Sequence, residues 1–193
     1  CNFRCPYCHN PELVKETLHP PAAPAEEVLD FLKRRRGKLE AVSITGGEPT
    51  LQADLPSFAA ALKKMGYRVK IDTNGSLPSM LTGLIQRGVV DCIAMDIKAP
   101  LAKYEAVTHH PSCGDAVTES IRIIRESLLP HEFRTTVVRN FHTIDDIVAI
   151  GHLIRGADRY VLQKCVPPRA SAPHADGGGT FTDEEFRVAV RHL

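Results

Sequence analysis

Five short runs of β-branched and aromatic residues, interleaved with stretches whose apolar residues fall at helical spacing, restrict this chain to a parallel α/β sheet. The runs are AVSIT (41–45), YRVKID (67–72), VVDCIAMDI (89–97), FRTTVV (133–138) and RYVLQ (159–163). Bounded by turn residues, they predict strands buried on both faces. Around them lie EEVLDFLKRRR, LPSFAAALKKMG, SMLTGLIQRG, VTESIRIIRESLL and TIDDIVAIGHLIRG, several ending at Gly, a common helix stop. Parallel neighbours need helical crossovers, so the pattern predicts either an open doubly wound sheet or a full or partial barrel. With 193 residues, 43% of them hydrophobic, one core is expected rather than two. From 167 to 180 the composition turns to Pro, Ala and Gly, which predicts a connector. TDEEFRVAVRHL then opens on a capping box, Thr182 with Glu185, and predicts a terminal covering helix.

The polar residues of chemical interest fall just beyond the strand ends. TGGEPT follows the first run, TNG the second, DIK closes the third, and Arg139 follows the fourth. Ligand sites of parallel α/β folds lie at the carboxyl edge of the strands, so these segments are expected to converge on one mouth. The opening stretch CNFRCPYCHNPE is expected there too, which predicts that a first strand preceding it is missing from this chain.

That opening places cysteines at 1, 5 and 8, with none following until Cys92. No apolar run approaches the roughly 18 residues of a spanning helix, and no signal-peptide pattern is present, which reads as cytoplasmic. There, six cysteines point to metal or redox chemistry rather than a disulfide framework. The net charge of +1, from 24 basic and 23 acidic side chains, gives no global field for nucleic acid or an anionic membrane, and neither is expected as a partner. Structural zinc wants four ligands, and His9, adjacent to Cys8, is poorly placed to share one tetrahedral ion with it. A [4Fe–4S] cube on three thiolates leaves one iron open to a substrate or cofactor, whereas electron carriers ordinarily use four cysteines. Asn2, Arg4, Pro6 and Asn10 make the segment a polar turn, which argues against a chance cluster of core cysteines.

Cys1-x3-Cys5-x2-Cys8, with Tyr7 before the last cysteine, resembles the signature of the radical S-adenosylmethionine (SAM) superfamily, and Gly46-Gly47-Glu48-Pro49 resembles its second motif. CPYCHNPEL, ITGGEPTLQ, IDTNG, AMDIKAP, FRTTVVR and YVLQ, in this order, are similar to activating enzymes of glycyl-radical proteins. The likeness is greatest to those of anaerobic ribonucleoside-triphosphate reductase, with pyruvate formate-lyase activating enzyme a near relative. It covers Cys1 to about Val166. The resemblance implies a partial (β/α)6 TIM-like barrel over residues 1–166, its first strand missing, with 167–193 as connector and C-terminal helix. It implies a [4Fe–4S] cluster on Cys1, Cys5 and Cys8 and reductive cleavage of SAM. Tyr7, Gly46, Gly47, Glu48, Asp72, Thr73, Asp96, Lys98 and Arg134 are the implied cofactor contacts. Gly46 and Gly47 would let backbone approach the methionine end, Glu48 would accept from its amino group, and Lys98 would face its carboxylate. Asp72, Thr73 and Asp96 resemble a small monovalent-cation site. The implied partners are a glycyl-radical enzyme as protein substrate and a flavodoxin- or ferredoxin-like electron donor. Where relatives carry an aromatic residue or histidine after the last strand, this chain has Gln163-Lys164-Cys165.

Other features have plainer readings. Lys33 to Arg36 reads as a solvated helix end complementing the helix dipole, Cys92 as a core thiol, and His109-His110 as an exposed pair in a loop after a strand. Cys113 and Cys165 have no CxxC partner. GGEP alone would be a surface turn, the Asp72-Thr73-Asn74-Gly75 turn a helix start, and Arg134 a solvated strand-end charge. Two rival functions remain: a radical SAM enzyme acting on a small molecule or modified nucleoside, and a structural zinc or electron-transfer protein.

Overall fold

The computed structural model describes residues 1–14, 17, 21–165 and 179–193. In chain order the elements are α1 (Ala25–Arg35), β1 (Ala41–Ile44), α2 (Leu55–Lys64), β2 (Arg68–Thr73), α3 (Pro78–Gln86), β3 (Cys92–Asp96), α4 (Tyr104–Thr108), α5 (Gly114–Glu126), β4 (His131–Val137), α6 (Ile144–Leu153), β5 (Tyr160–Lys164) and α7 (Asp183–Arg191). All but the last two residues of the expected connector, 179 and 180, lie outside the described residues.

Each strand coincides with one of the five apolar runs, and all pair in parallel in the order β1-β2-β3-β4-β5. That order decides between the two candidate architectures. A doubly wound sheet reverses strand order at a switch point; here the order never reverses, so right-handed crossovers place every connecting helix on one face. The result is a partial barrel with helices on its convex side.

The expectation that the strands are buried on both faces is corrected. Burial alternates along β2 and β4: Val69, Ile71, Phe133 and Val137 are fully covered, whereas Lys70, Asp72, Glu132, Arg134 and Thr136 between them are only partly so. Helices cover the convex face, while the concave face lines an open cavity and carries charge. Cys92 is corrected with it: in register with Lys70, it sits half-buried on the concave side rather than in the helix-packed core.

Local sequence explains the helices. In α5, Val117, Ile121 and Ile124 recur at helical spacing and are buried, while Glu119, Arg122 and Glu126 pair with one another on the exposed face. A capping box closes α6 at Thr143 and Asp146, and the expected one closes α7 at Thr182 and Glu185. Phe181 and Ala189 belong to the same core cluster as Phe133 and Val137, so the C-terminal helix packs onto the barrel. The short α4 was not anticipated; His109 and His110 follow this helix rather than a strand, and His110 meets the Phe3 ring at 5.5 Å. Arg139 is corrected as well. It is exposed and pairs with Glu185, bracing α7 instead of facing the mouth.

Candidate functional site

The cysteine loop is fastened by its aromatic residues. Phe3 and Tyr7 are buried, Phe3 against Tyr104 at 6.2 Å and Tyr7 against Phe141 at 5.7 Å, and the Arg4 amide donates to the Thr108 carbonyl at 2.8 Å. These anchors hold Cys1, Cys5 and Cys8, all partly exposed, over the carboxyl ends of the strands. A cavity of about 270 Å³ opens there, lined by all twelve residues singled out in the sequence: Cys1, Cys5, Tyr7, Cys8, Gly46, Gly47, Glu48, Asp72, Thr73, Asp96, Lys98 and Arg134. Asn74, Thr136 and Gln163 line it too, so Gln163 does reach the mouth.

The turn after β1 is built for close approach. Gly46, which lines the cavity, has φ +145, a conformation side chains rarely adopt, and a Cβ there would meet nothing within 4 Å. Gly47, also on the cavity wall, makes room for the cysteine loop: a Cβ on it would lie 2.7 Å from the Cys1 nitrogen and 3.0 Å from the Leu13 carbonyl.

Glu48 and Thr73, both lining the cavity, are bonded to each other. The buried Glu48 carboxylate already accepts from Thr50 Oγ1 at 2.5 Å, the Thr50 amide at 3.1 Å, Thr73 Oγ1 at 2.7 Å and the Asn74 amide at 2.6 Å. It welds the end of β1 to the end of β2. Thr73 Oγ1 is spent on this link and on accepting from the Gly75 amide at 3.1 Å. Asn74, missed in the sequence, carries the link to the cysteines: its Nδ2 donates to Asn2 Oδ1 at 2.9 Å and lies 3.8 Å from Cys1 Sγ. The available signal was the polar turn directly after a strand.

Across the concave face runs a chain of alternating charge. Lys70 Nζ lies 3.1 Å from Asp72 Oδ1; Arg134 reaches Asp72 Oδ2 at 3.2 Å and Asp96 Oδ1 at 2.8 Å; Lys98 Nζ reaches Asp96 Oδ2 at 2.9 Å. Every oxygen of the two carboxylates therefore faces a cation of the chain itself. Burial alone would raise the Asp96 carboxyl, but Lys98 and Arg134 outweigh it and hold it below its ordinary range. Burial opposes charge on Lys98 and Arg134 in turn, and their carboxylate partners hold both firmly protonated. At the residues expected to hold a small monovalent cation, Arg134 bridges Asp72 and Asp96 and Thr73 Oγ1 donates to Glu48, while Asp72 Oδ1, paired in charge with Lys70, is buried without a hydrogen-bond partner among the described residues.

Two observations bear on what the cavity holds. The Tyr7 hydroxyl, on a cavity-lining side chain, is buried without a hydrogen-bond partner among the described residues, a cost that a bound group can relieve. Burial pushes the Cys5 thiol up to about 11, partly offset by Lys98, so a bound metal would supply the charge that favours thiolate there. Among the described residues no three His, Cys, Asp or Glu side chains are gathered tightly enough for one metal ion. Three partly exposed thiols on one cavity wall are a donor set suited to an iron–sulfur cluster.

A family model described as the radical SAM superfamily matches residues 1–154. The chain belongs to that superfamily. The family implies a [4Fe–4S] cluster and SAM, and the donor set of the cavity fits both; the zinc-module rival falls with this match. Over 97% of its length the chain is 34% identical to a Methanocaldococcus jannaschii protein named "Putative glycyl-radical enzyme activating enzyme", of which it spans 74%. It is 25% identical to a 7-carboxy-7-deazaguanine synthase of Thermococcus kodakarensis, covering 89% of this chain and 73% of that one. A domain of a pyruvate-formate lyase-activating enzyme from Bacteroides vulgatus shares the fold with a TM-score of 0.64 at 16% identity, over 80% of this chain and 93% of that one.

Proposed function

We propose that this radical SAM protein is an activase that removes an α-hydrogen from a glycine of a partner glycyl-radical enzyme of the anaerobic ribonucleotide reductase or pyruvate formate-lyase type. The observation that carries the reading is the shared cavity: three cysteines of one loop and the charged ends of β2, β3 and β4 face the same space. The 34% identity to a relative bearing the activating-enzyme name, over nearly the whole chain, supports the choice of substrate class. Cys1, Cys5 and Cys8 would hold the cluster. When bound, it would supply the electron for reductive cleavage of SAM, the source of the radical that would take the glycine hydrogen.

The chain's own residues do the rest. Lys98, locked as a cation, would pair with the carboxylate of SAM, while Asp96, itself anchored by Arg134, holds the lysine ammonium in place. Gly46 leaves room beside the methionine end, and Tyr7 would give its unpaired hydroxyl to the bound group. Glu48 and Thr73 act at one remove, fixing the Gly-Gly turn and Asn74 under the cysteine loop. Asp72 would serve as Arg134's second anchor. A small monovalent cation at Asp72, Thr73 and Asp96 would share the two carboxylates with the Arg134 guanidinium, and nothing in this chemistry depends on one. The open side of a five-stranded partial barrel would admit a protein loop while its walls keep water from the reacting atoms. The electron would come from a flavodoxin- or ferredoxin-like protein. We place the reaction in the cytoplasm; among the described residues no helix is long and apolar enough to cross a membrane.

Reconstituted protein mixed anaerobically with a glycyl-radical partner, reductant and SAM should give a glycyl signal in electron paramagnetic resonance. Robust SAM cleavage without that signal would instead favour a small-molecule substrate, a second reading that the 7-carboxy-7-deazaguanine synthase similarity supports.

A further inference from the structure

We infer that Tyr104 and His142 are positioning residues that grip the Lys98 peptide from both sides and so fix where its ammonium points; the inference rests on the proposed role of Lys98. Pairing between β3 and its neighbours ends at Asp96, so two residues later the backbone has no ladder to hold it. The last backbone bond to β4 runs from the Ile97 amide to the Arg134 carbonyl at 2.8 Å, and beyond it side chains take over, beginning with Thr135 Oγ1, which donates to the Ile97 carbonyl at 2.9 Å. At Lys98 itself, the amide donates to Tyr104 Oη at 3.3 Å and the carbonyl accepts from His142 Nε2 at 2.8 Å.

Both grips are built into the core. Tyr104 is 1% exposed and His142 2%. The Lys98 carbonyl can only accept, so His142 Nε2 carries a proton aimed at it, while Nδ1 lies 3.0 Å from the Val138 amide, whose hydrogen it can accept, and 3.2 Å from the Val138 carbonyl. The two arms are also tied together. Lys103, beside Tyr104, pairs with Asp146 at 2.7 Å, and Asp146 closes the capping box on Thr143, beside His142. A lysine with four rotatable bonds needs such support if its charge is to meet a carboxylate in one place. Neither Tyr104 nor His142 lines the cavity, so their effect passes through Lys98.

Two substitutions of His142 separate positioning from bulk stability. His142→Gln keeps a donor near the Nε2 position for Lys98 and loses the acceptor for Val138. His142→Asn does the reverse. Equilibrium binding of SAM to cluster-reconstituted protein is measured beside the urea midpoint of each variant. Tyr104→Phe and His142→Asn are expected to weaken binding roughly fivefold. His142→Gln should stay within about twofold of wild type, although each His142 variant loses one buried hydrogen bond and shifts the urea midpoint alike. Equal weakening by Gln and Asn, or wild-type binding by Tyr104→Phe and His142→Asn, would overturn the inference. Lys98→Met, expected to lose roughly tenfold or more, tests the reading beneath it. If Lys98→Met binds normally, Lys98 is not the counter-charge. Amide exchange at residues 97–99 then judges the grip alone: faster exchange in Tyr104→Phe shows it is real, and unchanged exchange removes it.

Discussion

Replacing Glu48 with Gln tests whether the buried carboxylate is a weld between strand ends or a direct cofactor contact. Oε1 accepts three hydrogen bonds and Oε2 accepts one, from the Asn74 amide at 2.6 Å. A glutamine with its carbonyl at the Oε1 position keeps three bonds in weaker, neutral form and turns its NH2 toward a backbone N–H that also donates. The lost charge-assisted bond and the stranded amide cost about 2–3 kcal/mol, and weakening of the other three brings the total to ~3 kcal/mol. For a chain of this size that corresponds to a fall of roughly 6–12 °C in Tm. Urea unfolding of the cluster-free protein, followed by circular dichroism, should show a lower midpoint with an unchanged slope, whereas the exposed control Glu12→Gln stays within about 0.5 kcal/mol. A Glu48→Gln midpoint equal to wild type would refute the weld. Normal stability with weakened SAM binding would restore Glu48 as a direct contact for the amino group.

Three other perturbations follow from the same geometry. Gly47→Ala sets a Cβ against the Cys1 backbone nitrogen and the Leu13 carbonyl, so the reconstituted protein should carry less iron per chain by metal analysis while its helix content is unchanged. Arg134→Gln leaves Asp72 and Asp96 facing each other without their shared cation. Since these side chains are 15–32% exposed, the expected loss is ~2 kcal/mol by urea unfolding, less than for a fully buried pair. Burial lowers the His142 pKa against the opposing pull of its hydrogen bonds and Asp146, so the unfolded chain takes up the proton first and stability declines as pH falls below about 6.5. Asp96 is also depressed, so a further decline sets in below about pH 4, as the unfolded carboxyl protonates first. His142→Gln should remove only the upper limb of that profile, read as urea midpoint against pH.

The sequence reveals the five strands because β-branched runs between turn residues encode extended backbone locally. It does not reveal which face of β2 and β4 would be open. YRVKID and FRTTVV alternate apolar with charged residues, yet their neighbours read as continuous apolar runs, and only the unreversed strand order shows one face of the whole sheet to be a cavity wall. The site residues were legible because they cluster at strand ends, where parallel folds place ligands. Their individual duties were not. Whether Glu48 faces a ligand or Thr73 and Asn74, and whether Arg134 bridges Asp72 to Asp96, depends on contacts between residues 25 to 62 positions apart. His142 and Tyr104 left no motif for the same reason: their partner is a backbone group on another element.

The central claim is that the loop of Cys1, Cys5 and Cys8 and the charged strand ends beneath it form one centre for reductive SAM cleavage. Its most direct test is formation of 5′-deoxyadenosine by anaerobically reconstituted, reduced protein, with wild type and Cys5→Ala compared at equal protein concentration. The account predicts product from wild type and none above background from Cys5→Ala. No product from wild type loaded with iron and sulfide, or equal product from both proteins, would contradict it.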